Sequence, residues 1–347
     1  MKRFVSTITA LLLILSLFAG CAPAQESPAP APEQTTEIPS TDPTPEQEKE
    51  PLQRPSLKIL TLKGPTGMGM AQLMQAMDAK ETAVDYTFEL AGAPTEIVGK
   101  LTTGEVDVAA APINLAATLY NKTGGDIVVL AVNTLGVLYI AENGESINNI
   151  ADLAGKTLYA TGQGATPEYI LNYLLAQNGV AGQVTIEYMA EHAELATLLA
   201  AGEVSLAMLP EPNITMSLMK NEGLRVALDL TEEWAKISDS QLVQGCLIAR
   251  REVVENNPEA IAAFLREYAV STAFANEHVE EAAQLIAQYD ILANAQAAQL
   301  ALPKCNIVCI TGEEMRASAS AMLQMLYDAD PQSVGGQIPD DALYYLP

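Results

Sequence analysis

Two stretches of the chain share one pattern at a constant offset: LTTGEVDVAAAP at 101–112 and LAAGEVSLAMLP at 199–210. In each, a helical run ends at a glycine, a residue that readily adopts the left-handed conformation of a helix C-terminus. An alternating apolar run then follows up to a proline and predicts a strand. Seven identities fall at this offset: Glu96/Glu194, Leu101/Leu199, Gly104/Gly202, Glu105/Glu203, Val106/Val204, Ala109/Ala207 and Pro112/Pro210. The two halves of the chain therefore follow one strand–helix plan.

Strand and helix patterns also alternate around each stretch. Before the first, the predicted elements are a strand at 57–62, a loop at 63–69, a helix through Met70 to Met77, a strand at 86–90 and a helix at 95–103, followed by the strand at 106–111. Around the second, they are a strand at 156–160, a loop at 161–165, a helix that Thr166 caps and Pro167 begins, a strand at 184–188, a helix at 193–201 and a strand at 204–208. This alternation is typical of a parallel sheet with right-handed crossovers.

The remaining elements place one half inside the other. Strands are predicted at 127–131, 136–141 and 242–249, and helices begin at 258, 279 and 313. We therefore expect an α/β protein with two lobes: residues 56–135 and 244–347 in the first, and residues 136–243 in the second. Two crossings, near 132–137 and 240–245, would form a hinge.

The first 55 residues predict targeting and tethering, not a fold. Lys2 and Arg3 precede an apolar stretch that is too short for a comfortable membrane span, and Ala19-Gly20 precede Cys21. Residues 1–21 are therefore interpreted as a lipoprotein signal peptide, with Cys21 as the lipidated residue. Residues 22–55 contain nine prolines and seven acids, and they predict a disordered tether.

Composition excludes several kinds of site. A net charge of −25 repels nucleic acid, and it also disfavours binding to anionic lipid by charge alone. His192 and His278 stand apart without metal-ligand spacing, so we expect neither a metal nor a cofactor. Cys305 and Cys309 could pair, although buried free thiols are the preferred interpretation.

Several short motifs together resemble a known family: LTTGEVDVA at 101–109, DLAGKT at 152–157, GEV at 202–204 leading to EP at 211–212, CLIARR at 246–251 and NPEA at 257–260, with GGQIPDDALYY at 335–345. The chain resembles the solute-binding lipoproteins of nitrate/sulfonate/taurine-type ABC importers, which have the type II periplasmic-binding-protein fold. The resemblance implies a monomeric, extracytoplasmic protein without catalytic activity. It would be anchored to the membrane by lipid, and it would deliver a small organic solute to a permease and its ATPase.

The ligand is expected beyond the carboxyl ends of the strands, where helices begin. The loops there give ten candidate contacts: Thr66, Gly67, Met68, Asn114, Thr134, Gly164, Ala165, Thr166, Glu211 and Asn213. The same loops hold Lys63 and no arginine, which disfavours a multiply charged anion. A small neutral or singly charged organic molecule is the predicted cargo, and a cationic amine facing Glu211 remains an option.

Three other interpretations remain open. An enzyme on this fold, such as a pyrimidine-precursor synthase, would show a histidine-rich site and a clustered-cysteine motif, and neither pattern is found in the sequence. A binding protein of an ion-driven (TRAP-type) importer could carry a similar glycine-rich first loop. A ligand-sensing lipoprotein is the third.

Overall fold

The computed structural model describes residues 54–347, so the predicted signal peptide, Cys21 and residues 22–53 of the predicted tether lie outside the described residues. The described strands are β1 (Ser56–Leu62), β2 (Asp85–Ala91), β3 (Val108–Pro112), β4 (Ile127–Thr134), β5 (Leu138–Asn143), β6 (Thr157–Thr161), β7 (Thr185–Met189), β8 (Leu206–Pro210), β9 (Leu224–Asp229), β10 (Gly245–Arg250) and β11 (Ile307–Ile310). The α-helices are α1 (Pro65–Met68), α2 (Ala71–Asp78), α3 (Pro94–Thr102), α4 (Ile113–Thr123), α5 (Thr166–Gln177), α6 (His192–Ala201), α7 (Asn213–Lys220), α8 (Leu230–Ala235), α9 (Arg251–Asn256), α10 (Pro258–Glu277), α11 (Val279–Gln288), α12 (Ala295–Ala301) and α13 (Gly312–Ala329).

The strands form two sheets, which define two lobes. The first lobe holds a six-stranded sheet in the order β11-β4-β10-β3-β1-β2, and the second holds a five-stranded sheet in the order β7-β6-β8-β5-β9. Helices flank both sheets, so the expected two-lobed α/β architecture is confirmed. The chain passes into the second lobe through residues 135–137 and returns through residues 236–244.

Most strands of each sheet point in the same direction, but each sheet contains both parallel and antiparallel pairs of neighbouring strands. β1 pairs in parallel with β2 and β3, and β6 pairs in parallel with β7 and β8. The strand that enters each lobe runs the other way: β5 is antiparallel to β8 and β9, and β10 is antiparallel to β3 and β4. β11, at the edge of the first sheet, is also antiparallel to β4. The chain crosses between lobes at the carboxyl ends of the other strands, so a strand that starts there must run back against them.

The repeated glycine has the same geometry in both lobes. Gly104 has φ 77° and Gly202 has φ 76°, in the left-handed region where a side chain would be strained. The amide of Glu105 donates to the carbonyl of Lys100 at 2.9 Å, and the amide of Glu203 donates to the carbonyl of Leu198 at 3.0 Å. These equivalent bonds close helices α3 and α6 and turn the chain into β3 and β8. The sequence repeat is therefore a repeat of helix termination.

Alternate residues of the central strands bury their side chains on opposite faces of the sheet. In β3, Val108 and Ala110 join one apolar cluster, whereas Ala109 and Ala111 join another. The second of these clusters also contains residues of the other lobe, including Leu138 of β5. Period-two burial on both faces is expected where helices cover a sheet on both sides. The apolar core is therefore continuous between the lobes.

The start of the fold differs from expectation in two places. The predicted loop 63–69 contains the helical turn α1, which begins at Pro65 after Gly64, a residue with φ 105°. Arg54, assigned to the tether, donates to the Thr82 carbonyl oxygen at 2.9 Å, so its side chain packs against the fold.

Among residues 54–347, no helix combines the length and apolar character needed to cross a bilayer.

Candidate functional site

A cavity of about 430 Å³ lies between the two sheets. Its walls come from the carboxyl ends of β1, β3, β4 and β8, from the segments that follow β2, β6 and β7, and from the amino ends of β5 and β10. The lining residues are Leu62, Lys63, Gly64, Pro65, Thr66, Pro94, Pro112, Asn114, Leu115, Thr134, Val137, Leu138, Ala165, Thr166, Pro167, His192, Pro210, Glu211, Pro212, Asn213, Gln244 and Gly245. Both lobes contribute, and their strand ends point toward the same space, as ligand binding in open α/β sheets requires.

Helices α3 to α7 all begin at this cavity. The lining includes Pro94, Thr166, His192 and Asn213, each the first residue of its helix, and Asn114, the second residue of α4. A helix N-terminus carries unpaired N–H groups and a partial positive charge. The ends of five helices therefore favour a ligand group that accepts hydrogen bonds.

Seven of the ten predicted contact residues are in this lining: Thr66, Asn114, Thr134, Ala165, Thr166, Glu211 and Asn213. They come from five separate segments of the chain. The structure therefore brings together loops that lie up to about 150 residues apart in sequence.

Gly67, Met68 and Gly164, the other three predicted contacts, lie outside this lining. Met68 is fully buried in the core, and its Sδ lies 3.8 Å from the Cys305 Sγ, because the turn α1 directs its side chain inward. A Cβ added at Gly67 would clash with the Leu62 carbonyl oxygen, so this glycine permits close backbone packing. Gly164 lines a separate groove between α5 and α13.

Two hydrogen bonds connect α1, near the start of the first lobe, to the end of β4, beside the first crossing between the lobes. The Thr134 Oγ1 donates to the Asn133 Oδ1 at 3.1 Å, and the Asn133 Nδ2 donates to the Thr66 carbonyl oxygen at 3.4 Å. Gly245 lies beside these hydrogen bonds, and a Cβ there would lie 2.7 Å from the Asn133 Oδ1 and 2.9 Å from the Thr66 Cγ2. The glycine therefore lets β10 run close to Asn133 and Thr66 at the edge of the cavity.

Glu211 is the acidic residue in the lining, and its side chain is fully buried. The Thr215 Oγ1 donates to its Oε1 at 2.9 Å, and the Lys304 Nζ lies 4.0 Å from the same oxygen. Burial raises the pKa of Glu211 to about 7, while the bond from Thr215 and the charge of Lys304 act in the opposite direction. The carboxyl group can therefore gain or lose a proton near neutral pH.

Three lining residues carry a buried polar atom without a partner among residues 54–347: Thr166 Oγ1, Glu211 Oε2 and Gln244 Nε2. Thr166 was predicted to cap a helix, but Ala165 occupies the capping position and Thr166 is the first helical residue. A buried polar group without a hydrogen bond costs about 1–3 kcal/mol. These atoms mark the places where a bound molecule would complete the structure.

Lys63 and His192 are the remaining titratable lining residues. The Lys63 Nζ is paired with the Asp290 carboxylate at 2.6 Å. The His192 Nδ1 lies 2.6 Å from the Thr161 Oγ1. Sequence reasoning passed over His192, but the constant offset places it opposite Pro94, which also lines the cavity. Extending the repeat two residues upstream of Glu96 would have found it.

The described part of the chain contains neither a cluster of metal ligands nor a disulfide bond. No group of three or more His, Cys, Asp or Glu residues there is placed to hold a metal ion. Cys246, Cys305 and Cys309 are present as free thiols, which is the preferred of the two interpretations of Cys305 and Cys309. Burial raises the pKa of Cys309 to about 11.

Solved structures of other proteins share this architecture. A structure described as an ABC transporter from Parabacteroides distasonis has a TM-score of 0.71 and 23% identity, covering 84% of this chain and 98% of that one. The periplasmic aliphatic sulphonate binding protein from Escherichia coli has a TM-score of 0.65 and 19% identity, covering 81% and 90%. The alkanesulfonate-binding protein from Xanthomonas axonopodis bound to MOPS has a TM-score of 0.58 and 15% identity, covering 84% and 98%. At these identities the likeness establishes the fold.

Comparison by sequence gives a family. A search of curated proteins found no significant match. The model of the family described as NMT1/THI5 like matches residues 72–282, which include strands and helices of both lobes as well as both crossings between them. The match extends over more than half of the chain, and the chain therefore belongs to the NMT1/THI5-like family.

Proposed function

We propose that this protein is an extracytoplasmic solute-binding protein, which captures a small organic molecule for an ABC importer. The observation that carries the proposal is the cavity between the lobes, which both sheets line with strand ends and helix N-termini. Such a cavity gives a ligand contacts to both lobes at once. The structural neighbours support the importer assignment, since one is described as an ABC transporter and another as a periplasmic sulphonate-binding protein.

Capture would proceed by hinge closure. A ligand that bridges the lobes stabilises the closed arrangement, because only that arrangement makes both sets of contacts. Residues 135–137 and 236–244 are the two covalent connections across which the lobes would rotate. The closed form would then be recognised by a permease with its ATPase.

Binding without chemistry is part of the proposal. Within the described lining, the titratable side chains are Lys63, His192 and Glu211, and Lys63 is already paired with Asp290. The free thiols Cys246 and Cys305 are fully buried and outside the lining. A ligand that is recovered unchanged by mass spectrometry after incubation with the protein is the expected result.

The test is calorimetric titration of the full mature chain against amino acids, amines, sulfonates and vitamin precursors, with X-ray scattering of the free and saturated protein. One chemical class should bind at micromolar concentration or below, and the radius of gyration should fall at saturation. Tight binding of a dianion alone would contradict the predicted cargo. An unchanged radius of gyration with a saturating ligand would contradict hinge closure.

The membrane anchor is a separate part of the proposal and rests on residues 1–21. Lipidation at Cys21 would hold the protein on the membrane through two acyl chains or more, at about 0.8 kcal/mol per buried CH₂ group. In cells fed labelled palmitate, the wild-type chain should carry the label and sediment with membranes, and Cys21→Ala should do neither. Cys309→Ala, which removes a cysteine of the folded part, is the matched control and should behave as the wild type.

A further inference from the structure

Glu211 has a carboxyl oxygen that the described residues leave without a hydrogen bond. The residue is 2% exposed and lines the cavity. Its Oε1 accepts the bond from Thr215, but its Oε2 has no hydrogen-bond partner among the described residues. An acidic side chain this deeply buried is expected to be paired, because a lone buried charge is costly. For the ionised form of Glu211, the missing partner is a hydrogen-bond donor.

The bases near the cavity do not supply that donor. Lys63 is engaged with Asp290 at 2.6 Å. Lys304 approaches the other carboxyl oxygen, Oε1, only to 4.0 Å, and its side chain is 39% exposed. That distance is beyond a hydrogen bond. The described residues therefore supply no hydrogen-bond donor to the Glu211 Oε2, which lies just beneath the surface of the cavity.

Other parts of the cavity lining present hydrogen-bond donors instead of an acceptor. The Nε2 of Gln244, a donor, also has no partner among the described residues, and helices α4 and α5, which begin at Ile113 and Thr166, direct their N-termini at the cavity. A ligand with a donor group at one end and an acceptor group at the other would satisfy both sides. A purely anionic ligand would leave Glu211 unpaired and would be repelled by its ionised form.

The rest of the lining limits the body of the ligand. It consists largely of proline and aliphatic side chains, and none of the described lining residues is Phe, Tyr or Trp. Apart from the imidazole of His192, the described lining therefore offers no planar aromatic ring on which a heterocycle could stack. A compact aliphatic body fits better.

We infer that Glu211 is an ammonium subsite, and that the solute is a small aliphatic amine carrying a hydrogen-bond acceptor at its other end. The inference rests on the proposed function and names the substrate class of the same cavity. The amine donates to Oε2, and the carboxyl group meets it as a carboxylate. Below neutral pH, where the free site holds a proton, binding of an ammonium ion therefore releases that proton to solution.

The experiment compares three aliphatic series of two to six carbons: ω-amino alcohols, α,ω-diols and alkanesulfonates. Calorimetric titration is performed on the wild type, on Glu211→Gln and on Glu191→Gln, an exposed carboxylate outside the lining that serves as the matched control. The wild type and Glu191→Gln should bind the best amino alcohol at least tenfold more tightly than its diol. Glu211→Gln should lose that preference. At pH 6, the heat for the wild type should differ between phosphate and imidazole buffers, because a proton is released.

A second variant protects the test against misfolding of Glu211→Gln. Thr215→Val leaves the carboxyl group in place but removes the bond that orients it, and it should weaken the amine preference by a smaller factor. Circular dichroism checks that both variants are folded.

The outcomes separate this inference from the proposed function. If sulfonates or diols bind as tightly as amino alcohols, or if Glu211→Gln keeps the amine preference, the ammonium subsite is overturned while solute binding stands. If the cargo found by the wider panel lacks nitrogen, the subsite is likewise overturned. If that cargo is an amine and Glu211→Gln weakens its binding tenfold, the inference is supported. If no compound binds, both fail.

Discussion

The hydroxyl group of Tyr139, in the second lobe, donates a hydrogen bond of 2.8 Å to the backbone carbonyl oxygen of Lys304, in the first. Burial raises the pKa of Tyr139 well above its ordinary value, so the hydroxyl stays protonated and able to donate. Close by, the Asn306 Nδ2 donates to the Gly136 carbonyl oxygen at 2.5 Å, and the Leu135 amide donates to the Asn306 carbonyl oxygen at 3.0 Å. The segment from Lys304 to Asn306 thus joins the lobes beside the covalent crossings.

Tyr139→Phe should loosen this connection. Loss of one hydrogen bond is expected to lower the free energy of unfolding by about 0.5–1.5 kcal/mol. The ligand-free protein should also sample more open arrangements, seen as a larger radius of gyration in X-ray scattering. Tyr159→Phe is the matched control, since the Tyr159 hydroxyl makes no hydrogen bond to another described residue. Equal effects of the two changes would contradict the role given to Tyr139.

Gly245→Ala should disturb the edge of the cavity. The added Cβ would press on Asn133 and Thr66, and overpacking of this kind costs about 1–3 kcal/mol of stability. Ligand affinity should fall as well, because Thr66 is displaced. Chemical unfolding and calorimetric titration measure the two effects. Gly99→Ala, in the middle of α3 with open space around its Cβ, is the control and should instead stabilise the protein by about 0.5–1 kcal/mol.

The buried carboxylate of Glu142 should depend on Arg225. Burial alone would raise the pKa of Glu142, but bonds from Ile147, Ser146 and Arg225 outweigh it and hold that pKa below its ordinary value. A lowered pKa means stability that is present at neutral pH and is lost as the pH falls through the folded-state value. Arg225→Met should therefore cost about 1–3 kcal/mol of unfolding free energy at pH 7.

That cost should shrink as the pH falls, because protonation of Glu142 removes the charge with which Arg225 pairs. Urea unfolding at pH 7 and pH 3.5 measures the difference. Arg316→Met, which breaks an exposed pair with Glu313 on α13, is the control and should leave the unfolding midpoint unchanged. An equal loss for Arg225→Met at both pH values would show that packing, not the ion pair, is responsible.

Glu211 should give the ligand-free protein the opposite pH dependence. Its pKa is raised from 4.5 to about 7, so the folded state holds a proton that the unfolded state has released. Stability is therefore expected to fall between about pH 4.5 and pH 7, by about 3 kcal/mol at most, and to stay lower above that range. Glu211→Gln should remove this slope, measured by urea unfolding at pH 5 and pH 8, whereas Glu191→Gln should keep it.

Local patterns were enough to predict the repeat and most of the elements that carry the site. Gly104 and Gly202 end their helices as expected, because helix termination depends on a few neighbouring residues. Thr66, Asn114 and Asn213 line the cavity as expected. Their positions could be predicted because periodicity shows where strands end and helices begin. Met68 could not be placed in the same way, since a single unrecognised turn at Pro65 directs its side chain into the core.

By itself, then, the sequence determined two α/β halves with one plan, an inserted second half, and the loops from which a site is built. Only the tertiary structure decided that β5 and β10 run against their neighbours, that Gln244 enters the cavity wall, and that Lys304 meets Tyr139 and lies near Glu211. Periodicity and capping act over one or two turns of chain. Contacts between residues about 100 or more positions apart depend on how the two crossings orient the lobes, which no local pattern encodes.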